Sequence, residues 1–145
     1  MNVIRVTKEF DFETAHALDG YNGKCKDIHG HSYHLTVTFK GSPNQDINIS
    51  ECGMVVDFGD IKRVINEKVI NIYDHRLILR KDSRFQGIEE KNERVRYVDF
   101  QPTCENMLIE IVSLIKDSFD NCELHSASLR ETATSFAEWF AEDNK

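Results

Sequence analysis

The chain has 145 residues, with 18 basic and 25 acidic side chains and a formal charge of −7. That length buries a core without staples, and a hydrophobic fraction of 40% with nine Phe excludes a disordered chain. The acidic balance argues against nucleic acid or an anionic membrane as the main partner, because both attract basic surfaces. No repeat, low-complexity tract or Pro/Gly-rich linker divides the chain, so residues 1–145 are expected to form a single domain. No apolar run approaches the roughly 20 residues of a membrane span. The first ten residues, MNVIRVTKEF, carry charges at short intervals and lack the apolar stretch of a secretory signal. A cytoplasmic location is therefore expected, and with it free thiols. Cys25, Cys52, Cys104 and Cys122 contain no C-x-x-C pair, which argues against a four-Cys zinc knuckle.

Residues 3–16 alternate. Ile4, Val6, Phe10, Phe12 and His16 share one phase, interrupted by Lys8, and predict a strand with one buried face. The next segment, ALDGYNGKCKDI, reads as a loop. Residues 29–40 alternate more cleanly, with His29, His31, Tyr33, Leu35, Val37 and Phe39 on one side and Ser32, His34, Thr36 and Thr38 on the other. Residues 53–57, GMVVD, read as the end of a third extended segment. A helix is expected from Asp57 as N-cap, with Ile61, Val64, Ile65, Val69 and Ile72 at helical spacing. The charged stretch 80–96 predicts a solvated loop or an exposed hairpin. A second helix follows Pro102 with Thr103 as N-cap, burying Met107, Leu108, Ile111, Leu114 and Ile115. Residues 124–131 and 134–140 read as closing strands, the last also compatible with a helix. This order predicts an α+β domain with helices on one face of an antiparallel sheet. The edges of so small a sheet need cover, and oligomerisation is one way to supply it.

The chemistry concentrates at His16 and at His29-Gly30-His31. Two His at i and i+2 on a strand point the same way. If the first two strands pair as a hairpin, all three imidazoles meet at one end of the sheet. Three neutral imidazoles are a common catalytic zinc set with a fourth position open. His34 has the opposite phase and His125 sits elsewhere, so neither belongs to the set. Cys25, four residues before His29, has three readings that position does not separate: a nucleophile or base, a fourth ligand closing a structural site, or an incidental thiol. Asp74-His75 follows the first helix. Such a pair can orient an imidazole for proton transfer, but a helix C-terminus also accommodates a plain surface pair, which the residues alone favour. Glu131 shares the phase of Ala127 and Leu129 and needs a partner, either an Arg or a ligand with adjacent N–H donors. Glu105, near the start of the second helix, is explained by the helix dipole.

The chain resembles the 6-pyruvoyltetrahydropterin synthase family, which includes the bacterial 6-carboxytetrahydropterin synthases of queuosine biosynthesis. The matching pieces are Phe12-Glu13-Thr14-Ala15-His16, Lys24-Cys25, His29-Gly30-His31-Ser32-Tyr33, Gly53-Met54-Val55-Val56-Asp57-Phe58, Asp74-His75, Pro102-Thr103-Cys104-Glu105-Asn106 and Arg130-Glu131-Thr132. They occur in the family order from residue 12 to residue 132. The resemblance implies the tunnelling fold: a four-stranded antiparallel sheet with two helices on one face, joined edge to edge into an oligomeric barrel, with two trimers stacked as a homohexamer. It implies active sites between subunits, so that Glu131 could serve a pocket whose metal comes from a neighbouring chain.

Carried over by position, His16, His29 and His31 look like the Zn²⁺ ligands and Cys25 like the catalytic base. Asp74 with His75 looks like the proton relay. Glu131 looks like the anchor for the N–H groups of a pterin, with Thr103 and Glu105 lining its pocket. The implied substrate is 7,8-dihydroneopterin triphosphate, a small molecule, with no nucleic acid or membrane partner. The short gap Cys25-Lys26-Asp27-Ile28-His29 resembles the carboxy-forming branch, which gives 6-carboxy-5,6,7,8-tetrahydropterin and releases triphosphate and acetaldehyde. The alternatives are formation of 6-pyruvoyltetrahydropterin, or a zinc-binding pterin-binding module without turnover. The chain departs from the family at Tyr73, Leu79 and Gln101 and in its longer charged stretch 80–100.

Overall fold

The computed structural model describes residues 1–88 and 94–145. Strand β1 (Ile4–His16) leads through a loop with a one-turn 3-10 helix (Lys24–Lys26) into β2 (His29–Gly41). Helix α1 (Phe58–Ile65) continues through a π-helical turn (Asn66–Ile70) into the short α2 (Asn71–Tyr73). Strands β3 (Arg76–Arg80) and β4 (Val95–Val98) precede α3 (Cys104–Ile115). The hairpin of β5 (Glu123–Thr132) and β6 (Ser135–Phe140) follows, and a 3-10 turn (Ala141–Asn144) ends the chain.

The sheet runs β4-β3-β1-β2-β5-β6. The four antiparallel strands read from the sequence are β1, β2, β5 and β6. Two short strands extend that sheet. β3 runs parallel to β1, with Thr14 opposite Arg76, and β4 runs parallel to β3. The charged stretch is therefore no hairpin. Its strand at Val95–Val98 adds to the edge in parallel, Ser83 is buried, and Phe85 and Ile88 cover a small cluster of Ala17, Leu77 and Leu79. The part of that expectation at 89–93 lies outside the described residues.

One face of the sheet carries the core. Phe12, Tyr33, Leu35, Val37, Phe39, Ile78, Leu124, Ala127 and Leu129 meet Ile61, Val64, Ile65, Val69 and Tyr73 from the first helical segment. They also meet Met107, Leu108, Ile111, Val112 and Ile115 from α3. Both helices start where their caps predict. Asp57 accepts the Gly59 N–H at 2.7 Å, and Thr103 accepts the Asn106 N–H at 3.2 Å. Leu114 is exposed and Val112 takes its place in the buried stripe, because the sheet meets α3 along the 104–108–111–115 face. Residues 53–57 form turns and bends rather than a strand. Val55 and Val56 are both buried, which an alternating strand forbids. Gly53, at φ +85°, turns the chain through a region that other residues rarely enter.

The four cysteines are free. Among the described residues no helix is long and apolar enough to cross a membrane.

The corrected stripe on α3 is testable by denaturant titration. Ile111→Ala empties a fully buried site and is expected to cost about 2–5 kcal/mol, whereas Leu114→Ala is expected to stay within about 0.5 kcal/mol of the parent.

Candidate metal centre

The pairing of β1 with β2 sets His16 opposite His29 and Thr14 opposite His31. The strand period of two then turns His29, His31 and Tyr33 to one side. The three imidazoles close on one another edge to face. Ring centroids lie 4.5 Å apart for His16–His29, 5.1 Å for His16–His31 and 4.8 Å for His29–His31. One ligand nitrogen from each lies within 4.8 Å of the others. His16 is buried and the other two are half-buried.

Two backbone carbonyls decide which nitrogens carry hydrogen. His16 Nδ1 lies 2.6 Å from the Pro102 oxygen, and His29 Nδ1 lies 2.7 Å from the Asp27 oxygen. A carbonyl only accepts, so both Nδ1 atoms donate and both Nε2 atoms are left to bind. Those Nε2 atoms face each other at 3.0 Å. Two lone pairs at that distance repel unless a cation, a proton or a metal ion, lies between them. The Nε2 atom of His31 is buried with no hydrogen-bond partner. Burial lowers the pKa of His16, against the Pro102 carbonyl and Glu131, which raise it. Burial lowers that of His31 too, against Glu131. The site therefore disfavours the proton, and its donor set fits a divalent ion such as Zn²⁺ with an open coordination position.

Glu131 stands against this triad in its own chain. Its Oε1 lies 3.6 Å from His16 Nε2 and 3.7 Å from His31 Nε2, and accepts the Tyr33 hydroxyl at 2.9 Å. The pairing of β5 with β2, which sets His34 opposite Arg130, brings it there. Burial first, and then Glu131, pushes the Tyr33 hydroxyl well above the usual phenol range, so it stays a donor. Tyr33 escaped assignment from the sequence, although its phase is that of His31 and Leu35. The carbonyls of Pro102 and Asp27 carry no side-chain signature and were equally invisible.

A cavity of about 320 Å³ adjoins Glu131 between the start of α3 and the β5–β6 hairpin. Cys104, Glu105, Ser135, Phe136 and Ala137 complete its lining. Thr103 is committed to capping α3 and does not line it. Burial pushes the Cys104 thiol up to about 12, and it donates to the Leu129 carbonyl at 3.2 Å. It is an inert wall of the cavity.

Cys25 sits half-buried in the middle of the 3-10 turn, with its carbonyl accepting the Leu18 N–H at 2.9 Å. Its sulfur is not among the convergent ligand atoms. The geometry is that of three donors, not of a closed four-ligand site. Asp74 and His75 pair at 3.0 Å. His75 is exposed, has φ +57°, and lines a cavity of about 410 Å³ with Glu13, Ala15, Gly30, Ser32 and one member of the triad, His31. Burial would raise the Asp74 pKa, but the Glu13 N–H and His75 outweigh it and hold the carboxyl low. Within one chain His75 and His31 thus line the same cavity.

The remaining His residues have other surroundings. His34 lies on the polar face, with Nδ1 2.6 Å from Asp11 and Nε2 3.0 Å from Glu9. His125 occupies a bulge where β5 shifts register against β2, between Thr38 and Phe39.

The profile of one protein family, 6-pyruvoyl tetrahydropterin synthase, matches residues 5–142. The chain belongs to this family. Among curated relatives, 6-carboxy-5,6,7,8-tetrahydropterin synthase of Haemophilus influenzae is 32% identical over 142 residues, 94% of this chain and 99% of that protein. The protein of that name from Synechocystis sp. is 34% identical over 136 residues, 94% of this chain and 92% of its own. Solved structures with the same fold include an uncharacterized protein from Wolinella succinogenes, with TM-score 0.75, 22% identity and coverage of 97% and 99% of the two chains. The 6-pyruvoyl tetrahydropterin synthase of Caenorhabditis elegans aligns with TM-score 0.65, 20% identity and coverage of 97% of each chain.

The exposed His34 clamp offers a pH test. Hydrogen bonds that the imidazole donates to Asp11 first, then to Glu9, raise its pKa. NMR titration is expected to place it above the ordinary value of about 6.5, and Asp11→Asn is expected to lower it. Its contribution to stability is then complete below that ordinary value and lost as pH rises through the raised one.

Proposed function

We propose that this family member is a zinc-dependent lyase that converts 7,8-dihydroneopterin triphosphate to 6-carboxy-5,6,7,8-tetrahydropterin, releasing triphosphate and acetaldehyde, in queuosine biosynthesis. One observation carries the reading: three imidazoles, two of them with Nε2 left bare by a carbonyl at Nδ1, converge beside a hydroxyl-held carboxylate at the mouth of a cavity. The curated relatives bearing the 6-carboxy name support the choice of branch. So does the three-residue gap between Cys25 and His29.

His16, His29 and His31 would hold Zn²⁺, which when bound supplies Lewis-acid polarisation of the substrate's side-chain hydroxyl oxygens. The other roles fall to the chain itself. Glu131 accepts hydrogen bonds from adjacent N–H groups of the pterin, with Tyr33 fixing the orientation of its carboxylate. Glu105 lines the same pocket, and Thr103 supports it from the N-cap of α3. Cys25, four residues before the first ligand of the second strand, takes a proton from the substrate's side chain as a general base. His75, held by Asp74, moves a second proton. The reading takes this pair from a neighbouring chain, as active sites between subunits would require. We therefore place the site between subunits of a homo-oligomer, a hexamer of two stacked trimers, acting on a small molecule in the cytoplasm.

Mass spectrometry of the product formed by zinc-loaded protein from 7,8-dihydroneopterin triphosphate tests this reading. The carboxy product with acetaldehyde is expected, and Cys25→Ala is expected to keep zinc while losing at least about 100-fold in turnover. A pyruvoyl product would keep the sites and overturn the branch. A folded, zinc-loaded chain that binds the pterin without turnover would reduce the protein to a binding module.

A further inference from the structure

The charged stretch after β3 departs from the family pattern, and so does Gln101. Both meet at Asp19. The Gln101 side chain makes a reciprocal pair with the backbone of Asp19, donating from Nε2 to the Asp19 oxygen at 2.7 Å and accepting the Asp19 N–H at 3.1 Å. The Asp19 carboxylate accepts the Ser83 hydroxyl at 3.3 Å and the Arg84 N–H at 3.2 Å. Arg84 then reaches across to the Cys25 turn. Its Nη2 donates to the Lys26 carbonyl at 2.6 Å and to the Asp27 carboxylate at 3.1 Å.

An exposed ion pair such as Arg84–Asp27 contributes little stability by itself. What sets this one apart is where its partners lie. Asp27 supplies the carbonyl that fixes His29 as the Nδ1–H tautomer, and Lys26 follows Cys25. Gln101 precedes Pro102, whose carbonyl does the same for His16. One network thus immobilises both carbonyls that aim ligand nitrogens at the centre. Ser83 is buried and Phe85 is packed on the Ala17–Leu77–Leu79 cluster, so the network is anchored in the fold.

We propose that Arg84, Asp19 and Gln101 form a latch that positions the metal ligands His29 and His16 and the Cys25 turn. These are positioning residues. They act through the Asp27 and Pro102 carbonyls and touch neither metal nor substrate. The inference rests on the reading of the three His as a metal site, but not on the identity of the reaction.

The test is Zn²⁺ affinity, measured by competition with a chromophoric chelator on metal-free wild type, Arg84→Ala, Arg84→Lys and Arg80→Ala. Arg80 is the control, since it lies just before the same stretch and pairs with Asp82. Arg84→Ala is expected to bind Zn²⁺ about 10-fold more weakly, in the range seen when support of a metal-binding His is lost. Arg84→Lys is expected to recover most of that loss, because one ammonium can meet both oxygens that Nη2 now meets. Arg80→Ala is expected to match wild type. Affinity of Arg84→Ala within about twofold of wild type, or an equal loss in Arg80→Ala, overturns the latch. Should Arg84→Ala fail to fold, Asp27→Asn keeps the carbonyl, weakens the grip and is expected to lower affinity in the same direction; unchanged affinity there also overturns it. Zinc binding is read without pterin. A latch-dependent affinity in a chain without turnover would sink the proposed reaction and leave the latch standing. Turnover by wild type with an unmoved Arg84→Ala affinity would do the reverse.

Discussion

The antiparallel register of β1 and β2 is the constraint on which the site depends. It sets His16 opposite His29, and strand periodicity brings His31 to the same side. A slip of one residue would turn every side chain of the moving strand to the other face. A slip of β2 would carry His29 and His31 to the face of Glu13 and expel Leu35, Val37 and Phe39 from the core. Because the same phase serves the core and the triad, the burial that stabilises the fold also holds the metal site in register. The ligands sit at the strand ends, where the packed face runs out and a cavity begins.

Electrostatics at this end of the sheet follow from burial and from a few fixed dipoles. Burial disfavours charge, and it does so in opposite directions on different groups. It lowers the pKa of His16 and His31, and raises those of Tyr33 and Cys104. The outcome is a set of neutral groups around one carboxylate, Glu131. Carbonyl dipoles from Pro102 and Asp27 then select the tautomer that leaves Nε2 bare. The converging lone pairs are costly without a cation, so the protein stores at this point a preference that a metal ion satisfies.

Much of this was legible in the residues because the signals were periodic and local. The His phase, the Asp57 and Thr103 caps and the buried stripes of both helices follow from spacing alone. Features set by tertiary pairing were not. β3 and β4 are short and mixed in polarity, and they exist because the open edge of β1 accepts a parallel neighbour. The bulge at His125 resets the phase of β5, so that Leu124 and Ala127 both face inward. Leu114 looked as apolar as its neighbours, and only the angle at which α3 meets the sheet leaves it outside. The carbonyls that orient His16 and His29 belong to the backbone and leave no mark in composition. Arg84 lies in the stretch that reads as a solvated loop or exposed hairpin, and Gln101 reads only as a departure from the family, yet both meet Asp19.

The Asp74–His75 pair shows how the fold holds a residue in a sparsely populated backbone conformation. His75 adopts a left-handed backbone, which a non-Gly residue keeps only when its surroundings determine it. They do so through the edge of β1. The Glu13 carbonyl accepts the His75 N–H at 2.6 Å, while the Glu13 N–H donates to the Asp74 carboxylate at 2.9 Å. The Thr14 hydroxyl donates to the Tyr73 carbonyl one residue earlier. Tyr73 is itself pinned by Glu110, which Arg96 grips with two nitrogens at 2.8 Å each. The turn is thus fixed by three contacts to β1 and one to α3, while the imidazole it carries stays exposed. A strained backbone held this firmly under a solvent-facing side chain points to function rather than packing. The same strand, β1, therefore carries His16 of the triad and braces the Asp74–His75 pair at its edge.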